Sequence, residues 1–263
     1  MFRLTREVRF AVNQEHDPQL SAKPTNSYGG FPSVIAFGPH LALQVTVAGE
    51  LDPASNYLVN IKNIDAMVRQ RAVPKVAQAV TAHAAPAATV RNLYDLLSTQ
   101  WPPLSLVELR LHVSPFLAYT VRASEVPMIR LSQKFEFSAT HRLHNPQLSD
   151  EENRRTFGKC NNPHGHGHNY ELQVTLRGEP DENGLLIDVR LFERIVATTV
   201  TDRFDHKNLN LELPEFRELI PTVENIARTI HRLLKPQFAE HRATLASVTV
   251  WETPKTWCEY AEE

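Results

Sequence analysis

The sequence predicts an α+β fold made of two tandem modules, each running ββααββ with antiparallel strands. Three observations carry that expectation. Leu43-Gln-Val-Thr-Val47 recurs almost unchanged as Leu172-Gln-Val-Thr-Leu176, and Gly49-Glu50 and Gly178-Glu179 follow the two copies. The flanking segments repeat in the same order: Val8–Phe10 with Phe135–Phe137, Asn60–Ile64 with Asp188–Phe192, and Thr89–Leu93 with Thr222–Ile226. Ordered self-similarity of this kind marks a duplicated structural unit. Within the second copy, apolar residues then switch from alternation to helical spacing and back. The copies cover about 5–122 and 130–261, which divides the chain into domains 1–125 and 126–263.

The second copy shows the elements most clearly. Ile129 to Leu143 begins as a strand in which Phe135 and Phe137 share a face. Tyr170 to Arg177 alternates apolar and polar residues, the pattern of a half-buried strand. Glu179-Pro-Asp-Glu-Asn-Gly184 supplies turn residues to close it. Asp188 stands where an N-cap belongs, ahead of a helix over 189–203 whose stripe is Phe192, Ile195, Val196 and Val200. A second helix follows Pro221-Thr222, with Ile226, Ile230, Leu233 and Leu234 inward, and strands follow over Ala246–Thr253 and Lys255–Ala261. In the first copy Ala82–Ala88 is expected as a loop, and Asp205–Pro221 is its longer counterpart. Arg122–Pro127 is the short link between copies.

Composition narrows the function. Apolar residues make up 42% and charged residues 22% of the 263, as in folded globular proteins. A net charge of −2 and the lack of a basic arm speak against a nucleic-acid partner. No apolar run approaches the roughly 18–20 residues of a membrane helix. The charged start, Met1-Phe-Arg-Leu-Thr-Arg-Glu-Val-Arg9, does not read as a signal peptide. The two cysteines, Cys160 and Cys258, form no disulfide framework, which suits a reducing, cytoplasmic setting.

Chemistry concentrates in Phe157–Tyr170, where one thiol, three histidines and three glycines fall within fourteen residues. His164, His166 and His168 stand two apart, so on a strand any adjacent pair shares a face. His141, closing the first strand of the same copy, offers a third nitrogen. His141, His166 and His168 would form a three-histidine site with one open position, the pattern of catalytic zinc. Periodicity alone leaves the pair 164/166 as open as 166/168. Cys258, between Trp257 and Glu259, reads as a small structural residue.

The motifs Phe137-Ser-Ala-Thr-His141, Cys160-Asn-Asn-Pro-His-Gly-His-Gly-His-Asn-Tyr170, Asp205-His-Lys-Asn-Leu209, Pro221-Thr-Val-Glu-Asn225 and Val250-Trp-Glu-Thr253 together resemble the 6-pyruvoyltetrahydropterin synthase family, to which the 6-carboxytetrahydropterin synthases of queuosine biosynthesis also belong. The resemblance covers the whole second copy and implies a tunnelling fold in an oligomeric barrel. It implies zinc on His141, His166 and His168, with His164 a neighbour. It implies Cys160 as the catalytic thiol, assisted by Asp205 and His206 across a subunit boundary, and Glu252, Thr222 and Glu224 as pterin-binding residues. The implied substrate is 7,8-dihydroneopterin triphosphate and the implied activity a zinc-dependent carbon–oxygen lyase. The Cys-x5-His-Gly-His spacing resembles the pyruvoyl type more than the carboxy type. The alternatives are the 6-carboxy product from the same substrate, a non-catalytic pterin-binding scaffold, or a different zinc hydrolase.

Aligning the repeated pentapeptides sets Phe37-Gly-Pro39 against His166-Gly-His168, Gln14 against His141, Val113 against Glu252, and Ala77-Gln78 near Asp205-His206. No cysteine precedes Cys160. The first copy is therefore expected to be a degenerate, non-catalytic module, leaving one site per chain. The family resemblance then implies a homotrimer that imitates a hexamer, with a dimer of alternating modules as the competing geometry.

Overall fold

The computed structural model describes residues 1–12, 26 and 28–262. Gln14, the expected counterpart of His141, lies outside the described residues. The chain is an α+β protein that divides into two compact units, Met1–Leu131 with Arg177–Leu186, and Ser132–Leu176 with Ile187–Glu263. Among the described residues no helix is long and apolar enough to cross a membrane.

In the first unit, β1 (Phe2–Ala11), β2 (His40–Gly49), β3 (Ser105–Ser114) and β4 (Leu117–Arg122) pair in that order. All three pairings are antiparallel, with Phe10 opposite Leu41, Leu43 opposite Leu111, and Leu109 opposite Val121. The helices are α1 (Ile61–Met67), α2 (Val73–Thr81) and α3 (Pro86–Ser98), with a π-helical turn over Val68–Ala72 joining the first two. Alternation puts Val8, Phe10, Leu43, Val45, Val47, Leu109 and Leu111 in the core, where Ile64, Val68, Val90, Leu93 and Leu97 are also buried. Asn60 caps α1, and the Arg6 guanidinium grips Asp65 through bonds of 2.8 and 2.9 Å, tying the helix to β1. The expected loop over Ala82–Ala88 is shorter. Pro86 opens α3, because proline is tolerated in a first turn whose N–H groups have no intrahelical partner.

The second unit holds most of β5 (Ile129–His141) and β6 (His166–Gly178), together with β7 (Lys207–Asn208), β8 (Thr244–Thr253) and β9 (Thr256–Tyr260). The order is β5-β6-β8-β9, with β7 parallel to the end of β5, where Ala139 faces Lys207. Its helices are α4 (Asp150–Phe157), α5 (Val189–Val196), α6 (Asp202–Phe204), α7 (Leu209–Glu212) and α8 (Val223–Leu234). Asp188 caps α5 as expected, accepting from the Arg190 N–H at 2.8 Å. The helix expected over 189–203 runs on through a π-helical turn to Phe204. Phe137 stacks on Tyr170 with centroids 5.0 Å apart, and Phe204 meets Phe137 edge-on at 5.6 Å. Ile226, Ile230 and Leu234 bury the apolar stripe of α8.

Two expectations need correction here. β6 starts at His166 rather than Tyr170, because Gly165 and Gly167 hide an alternation that is already under way. The stretch Asp205–Pro221 is not a plain loop; it holds β7, α7 and a 3-10 turn at Pro214–Phe216. Helix α4 is an addition, secured by a capping box in which Ser149 and Glu152 bond each other's backbone.

Candidate active site

Two strand ends meet at the site. His141 is the last residue of β5 and His166 and His168 are the first and third of β6, so period-2 geometry sets the latter pair on one face. Between the strands the chain turns at Gly165, whose φ is +72°. A Cβ there would stand 3.0 Å from the His141 carbonyl oxygen, so glycine serves both the backbone angle and the close approach. His164 lies in the preceding turn, exposed, with its N–H on the Asn162 side chain at 3.1 Å. The structure thus separates His164 from the other three.

His141 is fully buried, and its Nδ1 stands 2.7 Å from the Pro221 carbonyl. A carbonyl only accepts, so Nδ1 carries a proton, and in the neutral ring Nε2 keeps a lone pair. That nitrogen lies 3.0 Å from His166 Nε2 and 3.2 Å from Glu252 Oε1, and Glu252 Oε1 is 3.5 Å from His168 Nε2. One ligand atom from each of His141, His166, His168 and Glu252 falls within 4.8 Å of the others. A tetrahedral ion with bonds of about 2.0–2.1 Å would space nitrogen ligands roughly 3.3 Å apart.

The electrostatics agree with a cation centre. Burial, then the charges of neighbouring histidines, pushes the His166 pKa below its ordinary value; burial does the same to His168 against the opposing pull of Glu252. Both rings are thus biased to the neutral form that ligates metals. A hydrogen bond from His141, followed by the histidine charges, holds the Glu252 carboxyl below the usual range. That bond needs protons on both His141 nitrogens; a cation held at Nε2 would take the place of the second proton. Among the described residues His166 Nδ1 and His168 Nε2 are buried without a hydrogen-bond partner, as are few side-chain atoms in a folded protein. Three imidazoles with one position open are a donor set that suits catalytic zinc, and the Glu252 carboxylate stands beside them. The residues fit the ion.

Around the cluster, Cys160 sits half-buried in a 3-10 turn, Gly158–Asn161, that follows α4. Tyr170 is fully buried and its phenol is pushed up by burial first and then by the charges of Glu252 and Cys160, so thiol and carboxylate act on the same ring. Its hydroxyl has no hydrogen-bond partner among the described residues.

Asp205 and His206 are placed by β5. Asp205 accepts from the Ser138 N–H at 2.8 Å, and the His206 N–H donates to the Ser138 carbonyl at 2.6 Å. His206 takes a left-handed φ of +56°, uncommon outside glycine and costly for a ring-bearing residue. Its Nδ1 lies 2.7 Å from Asp205 Oδ2. The Ser138 N–H and then His206 hold Asp205 below the ordinary carboxylate range. The His206 side chain is 83% exposed. Among the described residues neither Asp205 nor His206 hydrogen-bonds Cys160; a groove of about 660 Å³ has His168 and His206 in its lining.

Thr222 follows Pro221 directly, and neither Thr222 nor Glu224 is among the side chains that converge with the histidines. Thr222 caps α8, accepting from the Asn225 N–H at 3.3 Å, and Glu224 is exposed in the first turn. The partner that sequence reasoning missed is the Pro221 carbonyl, since a backbone acceptor leaves no trace in side-chain identity. The place of Glu252 beside the histidines was also unforeseen.

A family model described as 6-pyruvoyl tetrahydropterin synthase matches residues 130–263. A 6-pyruvoyl tetrahydrobiopterin synthase of Drosophila melanogaster is 41% identical over 138 residues, covering 52% of this chain and 82% of the relative. A 6-carboxy-5,6,7,8-tetrahydropterin synthase of Haemophilus influenzae is 29% identical over 156 residues, covering 51% of this chain and all of the relative (100%). The solved structure of Caenorhabditis elegans 6-pyruvoyl tetrahydropterin synthase superposes with a TM-score of 0.50 at 38% identity, over 53% of this chain and 99% of that one. Each match covers about half of this chain. The chain belongs to the 6-pyruvoyl tetrahydropterin synthase family.

Proposed function

We propose that this protein is a zinc-dependent carbon–oxygen lyase that converts 7,8-dihydroneopterin triphosphate to 6-pyruvoyltetrahydropterin with loss of triphosphate. The observation that carries the reading is the convergence of His141, His166, His168 and Glu252 within 4.8 Å. His141, His166 and His168 would hold the zinc ion, and when bound it supplies Lewis-acid polarisation of the substrate's side-chain oxygens.

The chain's own groups do the rest. Cys160 removes a proton from the substrate side chain, and breakage of the carbon–oxygen bond then releases triphosphate. As a thiolate it would serve as base, the form that nearby positive charge favours. Asp205 orients the His206 imidazole through the 2.7 Å contact at Nδ1 and supports its protonated form. His206, being exposed, faces outward, in keeping with service to the cysteine of a neighbouring subunit. Glu252 turns Oε1 to the histidines, and Oε2 takes part in none of those contacts, so it accepts an N–H of the aminopyrimidinone edge. Thr222 and Glu224 would approach the pterin from the start of α8.

The first unit is read as a degenerate tunnelling-fold module. β2 and β6 both carry Leu-Gln-Val-Thr, yet Pro39 and Val113 stand where His168 and Glu252 would align. Chains of this kind would close as a homotrimer in which second modules form one ring of a barrel and first modules another. Light scattering checks this: a mass of three chains is expected, and a mass of two would contradict it.

The test of the activity is incubation of zinc-loaded protein with 7,8-dihydroneopterin triphosphate and identification of the organic product by mass. The 6-pyruvoyl product is expected. A 6-carboxy product with acetaldehyde would place the chain with the carboxy branch represented by the Haemophilus influenzae relative.

A further inference from the structure

We propose that Arg142 is a positioning residue that holds the Cys160 turn at a set distance from the histidine cluster. The inference rests on the reading of Cys160 as the base and adds a residue that the reading does not include.

Arg142 follows His141 directly and is stitched to three segments. Its backbone is clamped on both sides by one amide: the Arg142 N–H donates to Asn210 Oδ1 at 2.7 Å, and Asn210 Nδ2 donates to the Arg142 carbonyl at 3.0 Å. Asn210 belongs to α7, five residues beyond Asp205. The guanidinium reaches the other way. Its Nε donates to the Asn161 carbonyl at 3.3 Å, and its Nη2 stands 3.2 Å from His144 Nδ1. Arginine only donates, so His144 presents a lone pair at Nδ1. Asn161 Oδ1 lies 3.1 Å from that same nitrogen, an acceptor facing an acceptor in this tautomer, so the bond that ties Arg142 to Asn161 is the one to its carbonyl; Asn161 is 8% exposed. Next door, the Leu143 N–H donates to the Cys160 carbonyl at 2.9 Å.

The consequence is geometric. Residues 141–143 carry the candidate metal ligand at one end, and through Arg142 and Leu143 they bind the two-residue stretch Cys160-Asn161. The far side of the segment is pinned by the buried Asn153 side chain, which accepts from the Asn145 N–H at 2.8 Å and donates to its carbonyl at 2.9 Å. Besides its continuation from α4, the Cys160 turn is thus joined by these bonds to the segment that carries His141. Lysine cannot replace the arginine here. A single ammonium does not span the Asn161 carbonyl and His144 Nδ1 as a rigid fork does.

The experiment uses full-length, zinc-loaded wild type, Arg142→Ala and Arg142→Lys. Three quantities are read: alkylation of the Cys160 peptide by iodoacetamide, resolved by mass from Cys258; zinc content; and kcat and KM for triphosphate release. The proposal expects kcat to fall by roughly 100-fold, the size of a misplacement of about 1 Å, with KM and zinc content unchanged. It expects Cys160 alkylation to rise several-fold as the turn loosens. Unchanged alkylation in both variants would overturn it. So would loss of zinc in step with kcat, since Arg142 would then act through His141. If Arg142→Ala fails to fold, Arg142→Lys decides. If the wild type itself releases no triphosphate, the functional reading fails, while alkylation still tests the positioning.

Discussion

His141 donates from Nδ1 to the Pro221 carbonyl at 2.7 Å, and this single bond aims the opposite nitrogen at His166 and Glu252. A ligating histidine held by a backbone carbonyl has its tautomer and ring orientation set before the metal arrives. The bond also joins the end of β5 to the segment leading into α8. His141→Ala would leave the buried Pro221 carbonyl without this donor, so a loss of about 1–3 kcal/mol is expected. Denaturant melts of both proteins in chelator check this, because metal then contributes to neither. Equal stabilities would contradict the role assigned to the bond.

Acid should act on the same cluster. The pKa values of His166 and His168 are lowered mainly by burial, so at pH just below 6.5 the unfolded chain binds more protons than the folded one. Stability therefore falls as pH drops through that window. The lowered Glu252 adds stability above its unfolded value of about 4.5 that is lost as pH falls further. Zinc, competing with protons for the same nitrogens, is expected to stay bound at pH 6.5 and to leave on further acidification. Dialysis with metal analysis at stepped pH reads the release point; release above pH 7 would oppose the assignment.

Cys160 Sγ is not among the ligand atoms that converge at the histidine cluster, so the proposed function gives the thiol proton transfer rather than metal binding. Cys160→Ala should lower turnover by about 10²–10⁴-fold, the range for a positioned acid–base group. Zinc content should not change. A variant that loses zinc along with activity would make the thiol a ligand.

At Gly165 the chain needs both a positive φ and room beside the His141 carbonyl oxygen. Gly165→Ala should cost about 1–2 kcal/mol from backbone conformation alone. Because the turn leads straight into His166, zinc affinity should weaken as well. Competition against a chromogenic chelator measures the second effect, and an unaltered zinc affinity would show that the turn does not set the ligand geometry.

Much of this architecture was legible in the chain. The alternation of Phe135 and Phe137 and the stripe of Ile226, Ile230 and Leu234 named their elements directly, since one face of each is buried against apolar neighbours. Asp188 announced α5, and Ser149-Asp-Glu-Glu152 announced α4 just as plainly, though amid so many charges it is easily passed over. Strand β6 was foreshortened because two glycines carry no side-chain period to read. The histidines could be proposed as ligands from spacing, but choosing among them needed either the family pattern or the turn that turns His164 outward. What spacing cannot reveal is backbone chemistry. The Pro221 carbonyl, the Ser138 peptide groups that hold Asp205-His206, and the clamp of Asn210 on Arg142 all depend on segments distant in sequence.

On the proposed function, the histidine cluster equips this chain to eliminate triphosphate from a dihydropterin. Triphosphate release from 7,8-dihydroneopterin triphosphate, followed with zinc-loaded and chelator-treated protein side by side, tests it most directly. Release that requires zinc and disappears in His168→Ala is the predicted result. No release from zinc-loaded protein, or equal release after the metal is stripped, would contradict it.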